Sequence, residues 1–263
     1  MKLLKRALLA MTIAGLASTA SAYAMNADNT VQETKIHTIV LVHGAFADGS
    51  SWDNVIPALQ SRHYQVIVVQ NPMTSLADDV AATQRAIEQA QGDVILVGHS
   101  WGGTVITQAG NDPKVKGLVY VAGFAPSVGQ SSADLGKNYP ATPGASKIQV
   151  TKQGYAYLPA DAVADDFAQD APAATKNLLA ITQGPIRAAN FDEKVTQAAW
   201  QTKPSWYVVS SNDRMINPQL ERDMAKKIHA HVTELPSSHA VMFYDPLNVA
   251  RTIFKAVNIT SGN

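Results

Sequence analysis

Val94-Ile95-Leu96-Val97-Gly98-His99-Ser100-Trp101-Gly102-Gly103 is the stretch that decides the fold. Its apolar start is too short for a helix and rich in β-branched side chains, the pattern of a strand buried on both faces. From Trp101 to Ala109 the sequence reads as a helix, which leaves only Gly98 to Trp101 to make the turn. A strand-to-helix turn this sharp forces its apical residue into a strained backbone conformation. Glycines on either side let neighbouring chain approach where a Cβ would collide. Ser100, at the apex, then projects its hydroxyl above the carboxyl end of the strand, where open α/β sheets bind their ligands.

Working outward, the same short apolar runs recur at residues 38–42, 66–69, 117–122, 206–210 and 232–235. Between the second strand and the strand at 94–97, residues 75–91 carry Leu76, Val80, Ile87 and Ala90 at helical spacing, with a capping-box-like Ser75 and Asp78 and Gly92 as the stop. Helices at 218–228 and 246–257 begin with Asn217-Pro218 and Asp245-Pro246, an N-cap followed by proline at the first helical position. Strands alternating with helices imply an α/β domain: a mostly parallel sheet with helices on both faces. Residues 126–202 break that rhythm with polar, Pro- and Gly-rich turns, a β-like segment at 148–158 and helical patterns at 162–168 and 173–181. The organisation expected is a core of residues 35–125 and 203–258 with a cap, or lid, inserted at 126–202.

A serine hydroxyl is a poor nucleophile near neutral pH and needs a base within hydrogen-bond reach, itself oriented by a carboxylate. Gly98-His99-Ser100-Trp101-Gly102 fits the G-x-S-x-G elbow of the α/β-hydrolase fold, where the acid and then the histidine follow the serine in chain order. Asp213 follows the 206–210 strand through Ser211-Asn212, and His239 follows the 232–235 strand through Pro236-Ser237-Ser238. Both therefore fall at the same sheet edge as Ser100. Asp245 is better used as a helix cap, and Asp223 lies inside a helix. Acyl transfer also needs two N–H donors for the developing oxyanion. Trp101 supplies one, and Ala45, or failing it Phe46, the other from His43-Gly44-Ala45-Phe46 after the first strand.

His43-Gly44-Ala45-Phe46 with Trp52, the Gly98 to Gly103 elbow, Asp213 and Ser238-His239 together resemble the methylesterase and hydroxynitrile lyase branch of the α/β-hydrolases, with its secreted bacterial esterase relatives, from about Lys35 to Val257. The resemblance implies a lidded site, no cofactor, and small or medium esters with apolar parts. It also implies that lyase members carry a hydroxyl residue in place of Gly44 and a lysine in place of Ala240. Gly44 and Ala240 thus point to ester hydrolysis by a serine esterase. Phe46, Phe124 and Met215 are the expected substrate contacts, and the cap offers Tyr139, Tyr155, Tyr157, Phe167 and Leu178. Two other activities fit the same fold: a cofactor-free perhydrolase or haloperoxidase-like enzyme on the same triad, and a non-enzymatic ligand binder.

The first residues read as a signal peptide over 1–24: Lys2, Lys5 and Arg6, then an apolar run from Ala7 to Ala20, then Ala22-Tyr23-Ala24 as a small-x-small cleavage site, with Ala20-Ser21-Ala22 as second choice. The run is shorter than the roughly 20 residues that cross a bilayer. The expectation is a periplasmic or secreted protein with no stable membrane association after cleavage. Removing the leader takes three basic residues and no acid from a chain of formal net charge +0, leaving it mildly acidic. Nothing in that balance, nor any basic patch, suggests nucleic acid. Cysteine is absent, which excludes disulfides, thiolate zinc sites and cysteine nucleophiles. With no H-E-x-x-H, EF-hand or P-loop pattern, neither a metal nor a nucleotide is expected.

Overall fold

The apolar runs become strands in the computed structural model, which describes residues 36–261. The expected signal peptide lies outside them. In chain order the strands are β1 (Ile36–Val42), β2 (Gln65–Val69), β3 (Asp93–His99), β4 (Val115–Val121), β5 (Gln149–Val150), β6 (Tyr155–Tyr157), β7 (Ile186–Arg187), β8 (Ser205–Ser210) and β9 (His231–Leu235). Six of them form one sheet in the order β2-β1-β3-β4-β8-β9, every pairing parallel. Residues Ile39 to Val42, Val94 to Val97 and Leu118 to Val121 are fully buried, as two-sided cover of the central strands requires. β9, at the edge, exposes most of its residues.

The helices are α1 (Ile56–Gln60), α2 (Leu76–Gln89), α3 (Trp101–Ala109), α4 (Ser132–Gly136), α5 (Ala160–Ala162), α6 (Ala173–Thr182), α7 (Pro218–Lys227), α8 (Val241–Tyr244) and α9 (Pro246–Thr260). Their caps follow the sequence: Ser75 accepts the Asp78 N–H, Asn217 that of Gln219, and Asp245 that of Asn248. The Asp78 carboxylate takes the Ser75 hydroxyl, so the reciprocal half of a capping box is not made. α2 also stops at Gln89, before the expected Gly92; Ala90 is already extended, and Gly92, at φ 64°, turns the chain into β3. The chain moves one way from β1 to β2 and the opposite way from β2 through β3, β4, β8 and β9. Right-handed crossovers then put α1 on one face and α2, α3 and α7 on the other. The strand order reverses between β1 and β3, so the crevice at their carboxyl ends is the natural ligand site.

Between β4 and β8 the chain forms a small antiparallel sheet, β5-β6-β7, with α4, α5 and α6. The β-like stretch at 148–158 is a tight hairpin turning at Gly154, whose φ is 83°. The first of the expected cap helices is mostly a π-helical turn, Val163–Phe167.

Candidate active site

Ser100 has φ 51° and ψ −119°, a conformation that L-residues seldom hold. Three contacts keep it there. Its N–H donates to the Val121 carbonyl at 3.2 Å, and its own carbonyl accepts from Gly103 and Phe124 at 2.9 and 3.1 Å. The flanking glycines are required by space. A Cβ on Gly98 would run into the Gly102 carbonyl, and one on Gly102 would stand 2.5 Å from the Val42 oxygen. The elbow is therefore a close crossing of β1, β3 and the first turn of α3, as expected of a nucleophile turn.

Ala45, in the loop after β1, and Trp101, the first residue of α3, are both buried beside this serine. Neither amide is spent on another backbone carbonyl among the described residues. The β1 loop is fixed by His43, whose Nε2 accepts the Asn71 N–H at 3.0 Å and whose Nδ1 donates to the Gly44 carbonyl at 2.9 Å. Burial pulls the His43 pKa down despite that Gly44 bond and the Asp48 charge. Trp101 is held by a residue that reading the sequence missed. Asp79, fully buried on α2, accepts Trp101 Nε1–H at 2.8 Å and the Met73 N–H at 2.8 Å. Burial raises its pKa to about 6, against the pull of both donors. An acid three residues after Leu76 and just before Val80, on the buried stripe of a helix, was the available signal.

Asp213 and His239 meet across the loops after β8 and β9, with His239 Nδ1 2.5 Å from Asp213 Oδ2. The other carboxylate oxygen, Oδ1, accepts the N–H groups of Met215 and Ile216 at 2.6 and 2.8 Å, so the acid's orientation is set twice over. With Nδ1–H donated to Asp213, Nε2 is the ring's free acceptor. His99, the residue before the serine, donates Nε2–H to the His239 carbonyl at 3.0 Å. Burial, and then the nearness of His239, keep His99 neutral by holding its pKa well below the ordinary value. A second carboxyl stands behind Asp213: Glu221 on α7 is fully buried and accepts the Ser210 N–H at 3.0 Å. Burial first, then the Asp213 charge, push the Glu221 pKa well up. That rise favours the protonated form of Glu221, the form that can donate toward Asp213.

Ser100 and His239 line one cavity of about 310 Å³ with Ala45, Phe46, Phe124, Phe191, Ile148 and Met215. Apart from His239 no lining side chain is titratable, which suits an uncharged ligand. The wall therefore includes Phe46, Phe124 and Met215, while the aromatic and apolar candidates of the cap are distributed differently. Tyr139 borders an adjoining cavity of about 270 Å³, Tyr155 and Tyr157 sit in the cap sheet, and Leu178 is 59% exposed. Phe167 packs edge-on to the His239 ring at 5.2 Å. Phe191 was missed because the irregular chain around it carries no period to read, and Ile148 was read only as the start of a β-like segment. Among the described residues no cluster of His, Asp and Glu converges as a metal site.

The chain matches the model of the "Alpha/beta hydrolase family" over residues 39–252. It is 28% identical to the "Probable hydrolase R7" of a Phoma species over 229 residues, 76% of this chain and 90% of that one. It is likewise 28% identical to the pyrethroid hydrolase of Sphingobium wenxiniae over 255 residues, 82% of this chain and 85% of the relative. The solved structure of polyneuridine aldehyde esterase superposes with a TM-score of 0.75 at 16% identity, covering 84% of this chain and 99% of that one. The match to the family covers most of the sequence, from β1 into α9, and the all-parallel sheet with its strand-to-helix serine agrees with it. The chain belongs to the alpha/beta hydrolase family.

Proposed function

We propose that this protein is a serine esterase of neutral carboxylic esters with apolar parts, with Ser100 as nucleophile, His239 as general base and Asp213 as its orienting acid. One observation carries the reading: a serine held at φ 51° shares an apolar cavity with a histidine whose far nitrogen is 2.5 Å from a buried carboxylate. His239 Nε2 takes the hydroxyl proton as Ser100 Oγ attacks the ester carbonyl, and Asp213 stabilises the imidazolium that forms. The N–H groups of Ala45 and Trp101 receive the oxyanion, and each such donor is worth about 2.7–4 kcal/mol. His239 returns its proton to the leaving alkoxide, and water activated by the same imidazole releases the acyl group from Ser100.

The names of the relatives, one a pyrethroid hydrolase and one solved neighbour an esterase, agree with this chemistry. The two cavities share Phe124, Met215 and Ile216 in their walls, which leaves room for apolar groups on both sides of the scissile bond. Each methylene buried there adds about 0.8 kcal/mol, or roughly fourfold in kcat/KM. The test is hydrolysis of p-nitrophenyl esters of rising chain length beside fluorophosphonate labelling. Turnover is expected to rise from acetyl to medium acyl chains. Ser100→Ala is expected to abolish labelling and lower kcat by about 10⁶-fold, and Asp213→Ala by about 10⁴-fold, the scale of other triads. Labelling that survives in Ser100→Ala, or a wild-type protein that neither labels nor turns over, would overturn the assignment.

A further inference from the structure

The cap does more than roof the cavity. Within five consecutive residues, 166–170, it binds the neighbours of both Asp213 and His239. Asp166, fully buried, accepts Arg214 Nε–H at 2.6 Å and pairs with Lys147 at 2.7 Å. Gln169 Nε2 donates to the Asn212 carbonyl at 2.7 Å. Asp213 is thereby gripped on both sides in sequence. The Phe167 carbonyl accepts the Ala240 N–H at 3.1 Å, and the Asp170 carboxylate accepts both the Ser238 N–H at 2.6 Å and the Ser238 hydroxyl at 2.5 Å. His239 is gripped in the same way, with the Phe167 ring against its imidazole.

The π-helical turn Val163–Phe167 makes this reach geometrically available. Widening one helical turn and closing it with the Ala168 N–H on the Val163 carbonyl at 3.0 Å sends successive residues toward two different loops. Burial pushes the Asp166 carboxyl up, but Lys147 and Arg214 outweigh it and hold the pKa below its ordinary value, so that end of the segment stays charged.

We propose that residues 166–170 are a positioning clamp for the acid–base pair, with Asp170 as its principal positioning residue. The proposal rests on reading Asp213 and His239 as that pair. Asp170 does not line the cavity, so its loss acts on the geometry of His239 and not on substrate contacts.

The decisive experiment compares Asp170→Ala, Asp170→Asn and Gln169→Ala by ester kinetics and by the low-field proton resonance of His239 Nδ1–H on Asp213. Asp170→Ala is expected to lower kcat about 10- to 100-fold while KM stays within about twofold, because a sub-ångström to 1 Å displacement of the base has that scale of effect. The low-field resonance is expected to broaden or move upfield. Asp170→Asn is expected to recover part of both, since its amide oxygen still accepts the Ser238 N–H and its NH₂ can donate to the hydroxyl. Unchanged kcat, or a loss confined to KM with the resonance intact, overturns the clamp. The resonance is read without substrate, so it tests the clamp even if no ester is hydrolysed; failure of the esterase reading shows instead in Ser100→Ala labelling. Should Asp170→Ala not fold, Gln169→Ala decides: a displaced resonance supports the clamp and an unchanged one overturns it.

Discussion

Ser100 and Trp101 are held mainly by backbone contacts, whereas Asp213 and His239 depend more on side chains reaching them from other elements. On the first side the elbow is a backbone object: two glycines, a strained serine and hydrogen bonds to adjacent strands. On the second side the loops after β8 and β9 owe their shape to Glu221 on α7, His99 on the elbow and the cap segment 166–170. The difference teaches where tolerance lies. Backbone crossings fail when any atom is added, while side-chain networks fail by degrees as single hydrogen bonds are removed.

The largest expected effect therefore belongs to Gly98→Ala. The added methyl meets the backbone of Gly102 and Gly103, which cannot rotate away as a side chain would. A loss of about 3 kcal/mol or more is expected by thermal or urea unfolding. In whatever protein folds, hydrolytic activity is expected to fall at least about 10²-fold. Wild-type stability and activity in this variant would show that the elbow yields easily, and would erase the contrast between the two sides.

The same contrast explains what could be read in advance. The six core strands were visible as short β-branched runs and fall within a residue or two of their positions in the sheet. The elbow was visible because Gly98, Ser100 and Gly102 stand where a buried strand gives way to a helix. Asp213 and His239 were visible only by their place after strands, and nothing local to them revealed their supports. β5 and β6 fall within the β-like segment at 148–158, whereas β7, two residues long, is too short to carry an alternation that can be recognised. Asp166 sits in Ala164-Asp165-Asp166 within the helical pattern at 162–168, where nothing local marks it as buried; only tertiary structure brings Lys147 and Arg214 to it.

Asp79 sharpens the comparison, being a side-chain support on the elbow side. Asp79→Ala would leave Trp101 Nε1–H and the Met73 N–H buried without acceptors, at about 1–3 kcal/mol for each orphaned donor. The indole is then free to tilt, and the Trp101 amide with it. A fall in kcat of about tenfold is expected, below the roughly 10²- to 10³-fold that losing an oxyanion donor outright would produce. Steady-state kinetics together with a melting curve separate the two effects. Lost stability with kcat intact would confine Asp79 to packing and leave the elbow wholly self-supported.

Glu221→Gln should change activity least and the pH dependence of stability most. Glu221 has its folded pKa raised well above the ordinary 4.5, chiefly by burial and then by Asp213. Between those values the unfolded chain has released a proton that the folded protein keeps. The stabilisation tied to that proton is complete below about pH 4.5 and is lost as pH rises toward the folded value, at about 1.4 kcal/mol per pH unit. A glutamine keeps the shape, accepts the Ser210 N–H through its amide oxygen and donates its NH₂ toward Asp213, with no proton to lose. The melting temperature of Glu221→Gln is therefore expected to fall less than that of wild type between about pH 5 and pH 8, by roughly 2–4 °C for each kcal/mol. With the neutral donor preserved, kcat is expected to stay within about twofold. Parallel melting curves would mean that Glu221 ionises in the folded protein, and a large fall in kcat would mean that Asp213 depends on the carboxyl itself and not merely on a hydrogen-bond donor in its place.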